Sequence, residues 1–195
     1  MNRIKNFFDL IINSLKLETD SKEFIKVETA INYIINAHHN HRHHDGNFFI
    51  YHPISVATIL VDEAGCKDCD VICAALLHDV FEKCDVDFEL FRDIFGEEVF
   101  SIVDVLTKYR WYGSDDLTRT INYVKRIEAS CDECKILKLA DRLDNHRKLS
   151  CRTSDKKNSY ILKTENYFSI FAEKSENRAV KRLWALISAE ITKMK

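Results

Sequence analysis

Only four glycines and one proline punctuate the 195 residues of this chain, and that scarcity constrains the fold more than any other feature. Glycine and proline break helices and supply the special backbone angles of tight turns. A chain this poor in both favours long helices over a strand-and-turn architecture. The expected fold is all-α, in a single domain over 1–195 with a motif core about 25–150 and C-terminal helices over 151–195. With 46% hydrophobic and 31% charged residues, the chain can bury a full core.

Helix starts are readable where polar caps precede apolar periodicity. Asp20-Ser21-Lys22-Glu23 reads as a capping box with Asp20 as the cap. It opens a helix whose apolar positions Phe24, Val27, Ile31, Ile34 and Ile35 recur at helical spacing. Pro53 fits the first turn of the next helix and Gly65 its end. A third helix runs from about Asp68 or Asp70 to Phe81 or beyond. Asp87 can cap a short helix ending near Gly96, and 97–109 reads as another. Residues 113–116 form a loop and cap before a helix through Ile127. Further helices are expected over about 132–149, 155–174 and 176–193.

Several function classes are disfavoured. A net charge of −2 provides no global basic field, so nucleic acid is not the default partner. No stretch approaches eighteen uncharged apolar residues, and no signal peptide opens the chain, so neither a membrane span nor export is expected. Seven cysteines, an odd number, fit reduced thiols in the cytoplasm. Cys66/Cys69 and Cys131/Cys134 have zinc-site spacing, but the pairs are far apart in sequence and read better as free thiols. Self-association into a homo-oligomer is left open.

The residues with chemistry are His52, the pair His78-Asp79 after the apolar run 71–77, and Asp141. Two imidazoles and two carboxylates make a mixed nitrogen and oxygen set, which suits Mn²⁺, with Fe²⁺ or another divalent metal as an alternative. His78-Asp79 and Asp141 sit in apolar surroundings, where a charge needs a partner or a metal. Glu82 lies one helical turn beyond His78, and Lys83 one turn beyond Asp79. They add a carboxylate able to take a proton and an ammonium able to hold phosphate. Lys138, Asp141 and Asn145 share one helical stripe, with Lys138 and Asn145 placed to aim donors at a substrate. Weighed singly, a His-Asp dipeptide is common by chance and His52 alone would be a cap or surface residue.

Taken in order, His52-Pro53-Ile54-Ser55-Val56-Ala57, then 74–82, then 95–99, then Leu106-Thr107-Lys108, then 138–145 resemble the hydrolase domain of RelA/SpoT-type proteins. The single-domain relatives, small alarmone hydrolases, are nearest in length. The resemblance covers roughly 25–150 and implies an all-helical HD fold. It further implies Mn²⁺ held by His52, His78, Asp79 and Asp141, and hydrolysis of the 3′-pyrophosphate of guanosine tetra- or pentaphosphate. By the same resemblance Glu82 assists the attacking water and Asn145 and its neighbours contact the nucleotide.

The chain departs from that pattern at three places. Lys83 replaces an aspartate, so an ammonium stands where a carboxylate could accept a proton; the catalytic pair expected here is Glu82 and Lys83. His43-His44 replaces an Arg-Lys pair that contacts guanine, which makes these two histidines candidate substrate contacts beside Lys138 and Asn145. They belong to a cluster with His38, His39 and His41 that could also be a second metal site or a polar loop. Asp144 replaces an aromatic or histidine beside Asn145. These departures keep open an HD phosphohydrolase for another nucleotide, such as NADPH or a nucleoside phosphate, a non-catalytic nucleotide sensor, and a partner-binding helical protein.

Overall fold

The computed structural model describes residues 2–42 and 46–194. It contains helices and, among the described residues, no strand beyond an isolated bridge between Arg42 and Phe48. The all-α expectation holds. The chain divides into two compact units, Met1–Thr107 and Lys108–Lys195.

The first unit carries α1 (Asn2–Leu15), α2 (Lys22–Ala37), α3 (Tyr51–Asp62), α4 (Cys69–Leu77), α5 (Val80–Lys83) and α6 (Phe88–Leu106). In α2 the buried residues Val27, Ala30, Ile31 and Ile34 recur at three- and four-residue spacing, the stripe of a half-buried helix. Its cap is Ser21, whose hydroxyl accepts from Phe24 N, and not Asp20, which takes a left-handed backbone with φ 68. An aspartate tolerates that conformation and leaves the cap to the next residue. α3 ends as expected at Gly65 (φ 73), where Cys66 N bonds back to Leu60 O.

α4 is different, because Val71 to Leu77 are all buried. A helix apolar on every side belongs in the middle of a core, and α2, α3 and α6 pack around it. Truncating a fully buried residue such as Ile72 to alanine should therefore cost about 2–5 kcal/mol. α6 breaks at Gly96 (φ 84, ψ 166), so 88–95 and 97–106 are two helical pieces, close to the sequence expectation. Phe91 and Phe95 anchor an aromatic cluster with Tyr33, Phe81 and Phe100.

The second unit carries α7 (Asp116–Glu128), α8 (Asp132–Arg147), α9 (Ser154–Lys163), α10 (Ser169–Lys174) and α11 (Arg178–Thr192). α8 and α11 form its main packing pair. A π-helical turn at Thr164–Phe168 joins α9 to α10. Around it, the buried Arg142 donates from Nε and Nη2 to Thr164 Oγ1 and lies over the Tyr160 and Phe168 rings. No helix of the described residues is long and apolar enough to cross a membrane.

Candidate metal centre

α4 delivers His78 and Asp79 where it leaves the core. The expectation of one continuous helix from Asp68 or Asp70 through Phe81 is corrected here. The helix ends at Leu77, His78 and Asp79 form a turn, and α5 restarts at Val80. Asp79 has φ −100 and ψ −4, in the bridge region between helix and extended conformations, where active-site residues are often found. The directions of these two side chains are therefore set by the turn and not by the 100° step of a helix.

His52 arrives from the first turn of α3, where Pro53 is well placed because early helical positions have no intrahelical use for an N–H. His52 Nε2 lies 3.8 Å and His78 Nε2 3.5 Å from Asp79 Oδ2. The two imidazole rings meet edge to face at 5.2 Å between centroids. Both histidines are buried, at 3% and 5% exposure, and one donor atom from each of the three residues lies within 4.8 Å of the others.

One contact fixes the chemistry of this trio. His78 Nδ1 donates to the carbonyl of Ala75 at 2.7 Å. A carbonyl only accepts, so the hydrogen sits on Nδ1 and the lone pair is left on Nε2, the nitrogen facing Asp79. A backbone carbonyl locking the tautomer of an imidazole is the arrangement that metal-binding histidines use. The donor set and its tautomer thus fit a divalent cation.

Asp79 has a further neighbour, since Lys83 Nζ lies 3.8 Å from its Oδ1 and 4.9 Å from the centre of the Phe49 ring. Phe49 in turn packs on His52 at 5.7 Å. Sequence reasoning missed Phe49, which stands in a loop and carries no ionisable group. Glu82 is exposed on α5, one residue before Lys83.

The remaining candidates lie in the second unit, on α8. Asp141 is buried, with Lys138 Nζ 2.8 Å from its Oδ2 and Asn145 Nδ2 donating to its Oδ1 at 2.7 Å. The stripe expected from the sequence is present, and both donors are turned onto Asp141 itself. Burial works against the Lys138 ammonium, but Asp141 and the adjacent Tyr123 more than offset it, and its pKa is raised well above that of an ordinary lysine. Asp144 is also buried, and its carboxylate is paired with Lys148. The negative charge that this position adds is therefore locally compensated.

His43 and His44 lie outside the described residues. Neither Cys-x-x-Cys pair joins a group of three or more potential ligands among the described residues. Cys69 bonds to the carbonyl of Glu23, and Cys131 and Cys134 face one another at 3.5 Å.

Comparison with known proteins matches residues 30–176 to the HD-domain family model. The chain is 37% identical over 132 residues to guanosine-3′,5′-bis(diphosphate) 3′-pyrophosphohydrolase MESH1 of Danio rerio, covering 67% of this chain and 72% of that protein. It is 31% identical over 149 residues to a probable guanosine-3′,5′-bis(diphosphate) 3′-pyrophosphohydrolase of Synechocystis, spanning 74% of this chain and 19% of that longer protein. A solved structure described as a metazoan ortholog of SpoT that hydrolyzes ppGpp superposes with a TM-score of 0.77 at 26% identity. The superposition covers 91% of this chain and 98% of that one.

Proposed function

The chain belongs to the HD-domain family, and on that premise we propose that it hydrolyses the 3′-pyrophosphate of guanosine-3′,5′-bis(diphosphate), giving GDP and pyrophosphate. The observation that carries this reading is the trio of the buried His52 and His78 with the half-buried Asp79, with the His78 tautomer locked so that Nε2 offers its lone pair. The resemblance of the chain to proteins named for that reaction selects the substrate.

His52, His78 and Asp79 would hold the cation, which we take to be Mn²⁺. Asp141 is assigned as a further ligand from its sequence motif. When bound, such a cation supplies positive charge that lowers the pKa of a water and offsets charge developing on phosphate, an effect worth several kcal/mol.

The protein's own groups divide the remaining work. The Glu82 carboxylate accepts the proton of the attacking water at an Oε atom. As the water oxygen bonds to phosphorus, the bond from phosphorus to the ribose 3′ oxygen breaks. The 3′ oxygen takes up a proton, from the protonated Glu82 or from solvent, to become the ribose hydroxyl, and pyrophosphate is released. Lys83 has no lone pair while charged, so its ammonium neutralises phosphate oxygens and accepts no proton. Lys138 and Asn145 hold the Asp141 carboxylate in one orientation. His43 and His44, which precede α3 in the sequence, are the residues we assign to contact the nucleotide.

Pyrophosphate release from a panel of guanosine-3′,5′-bis(diphosphate), NADPH and nucleoside phosphates, with Mn²⁺ present, tests this reading. We expect turnover of the guanosine bis(diphosphate) to dominate. Preferential turnover of another nucleotide would reassign the substrate. Binding without turnover would make the protein a sensor, with Lys83 as the reason.

A further inference from the structure

We propose that the first unit contains a second cation site, built from His38, His41 and Cys84 and selective for a borderline-soft ion such as Zn²⁺. One donor atom from each of the three lies within 4.8 Å of the others. The two Nδ1 atoms of His38 and His41 are 2.9 Å apart, and Cys84 Sγ is 3.7 Å from His38 Nδ1. In a tetrahedral zinc site with Zn–N of about 2.0–2.1 Å and Zn–S of about 2.3 Å, two nitrogens stand roughly 3.3 Å apart and nitrogen and sulfur roughly 3.6 Å. The cluster is within a few tenths of an ångström of both spacings before any ion is added.

The state of His38 points the same way. Its ring is fully buried, with the Nδ1 edge toward His41 Nδ1 and Cys84 Sγ. Two facing Nδ1 atoms can share only one hydrogen, which a cation held by both would replace. Burial also depresses the His38 imidazole, so it is neutral at physiological pH and its ring carries a single N–H.

The open side of the cluster faces a cleft of about 630 Å³ lined by His41, Cys84, Tyr33, Asn36, Lys83 and Asp85, which leaves room for water as a fourth ligand. The donor set separates this site from the one at His52. A thiolate with two imidazoles selects zinc-like ions, whereas two imidazoles with a carboxylate suit harder ones. The Phe49 ring packs on His38 at 4.8 Å and on His52 at 5.7 Å, so one aromatic side chain lies against both histidine pairs.

Without a cation the Cys84 thiol keeps its proton and points at the Ala37 carbonyl, at 3.5 Å. Burial and Asp79 raise its pKa, and Lys83 acts in the opposite direction. On binding, Cys84 S–H becomes the zinc-bound thiolate and its proton passes to solvent. The hydrogen shared between the two Nδ1 atoms moves to the Nε2 of its own ring. Affinity should therefore rise with pH.

Cobalt(II) added to the purified chain reads the site directly, because thiolate coordination gives a charge-transfer band in the near ultraviolet. We expect the band in wild type, its loss in Cys84→Ser and in His41→Gln, and its retention in His78→Ala, which removes a ligand of the other site. Zinc should also protect Cys84 from alkylation, as mapped by mass spectrometry, in wild type and in His78→Ala alike. Circular dichroism of each variant separates loss of the site from loss of the fold. No band in wild type, or a band that survives Cys84→Ser and disappears in Cys131→Ser, would overturn the proposal. Failure of guanosine bis(diphosphate) hydrolysis would leave these outcomes unchanged.

Discussion

The histidines of the trio in the first unit and Asp141 in the second are buried polar groups, but the two sets are held in different ways. His78 is oriented by a backbone carbonyl, and Asp79 by a turn that interrupts the helix. Asp141 is oriented by two side chains of its own helix, Lys138 and Asn145. A backbone device survives most substitutions around it, whereas a side-chain device is lost with a single mutation. Changes in the first unit should therefore act through the ligands themselves. In the second they should act through the supports.

The largest effect is expected from His78→Ala, which removes a ligand and leaves the Ala75 carbonyl without its donor. Turnover should fall by about 10³-fold or more, the kinetic equivalent of several kcal/mol. Bound metal, measured by elemental analysis, should fall with it. Glu82→Gln comes next, because it removes proton acceptance and spares the trio. We expect about 10²-fold lower kcat with metal content unchanged, which separates base from ligand. If metal is lost together with activity, Glu82 belongs to the cation site.

Asn145→Ala probes the side-chain device. It removes the Asn145 donor from Asp141 and should weaken metal affinity by roughly 10–100-fold, the usual range for a lost supporting contact. An unchanged affinity would remove the contrast between the two units. Lys83→Asp should produce a smaller change, several-fold in rate or in preference between nucleotides. Identical rates and range would show that the ammonium has no role in recognition.

The smallest effect concerns stability in acid. Burial and the neighbouring Arg142 lower the His146 imidazole to about 3. In the unfolded chain the same group titrates near about 6.5. Between those values the unfolded state binds more protons, so stability falls as pH drops from the upper value toward the lower. Replacing His146 with asparagine should flatten that part of a plot of Tm against pH. An unaltered slope would place the acid sensitivity on other groups.

Much of this was legible in the sequence because helices announce themselves locally. Caps at Asp87 and Asp115, the stop at Gly65 and the break at Gly96 depend on a few adjacent residues, and each appears where the sequence suggests. The turn at His78-Asp79 was not legible, since nothing in an apolar run ending in two polar residues specifies where helical hydrogen bonding stops. The shift of the cap from Asp20 to Ser21 is likewise a matter of backbone angle and not of residue type.

Side-chain direction was harder still. Lys138 and Asn145 share a stripe with Asp141, as their spacing requires, but spacing cannot reveal that both turn inward onto the carboxylate. The histidine cluster shows the same limit. His38 and His41 were visible as possible ligands, whereas Cys84 comes from a different helix end and enters only through the packing of the first unit.

Pyrophosphate release from guanosine-3′,5′-bis(diphosphate) by the purified chain, with and without Mn²⁺ and beside His78→Ala, tests the proposed hydrolase most directly. We expect turnover by wild type that depends on the metal and is abolished in the variant. Metal-independent turnover, or equal turnover by wild type and His78→Ala, would contradict it.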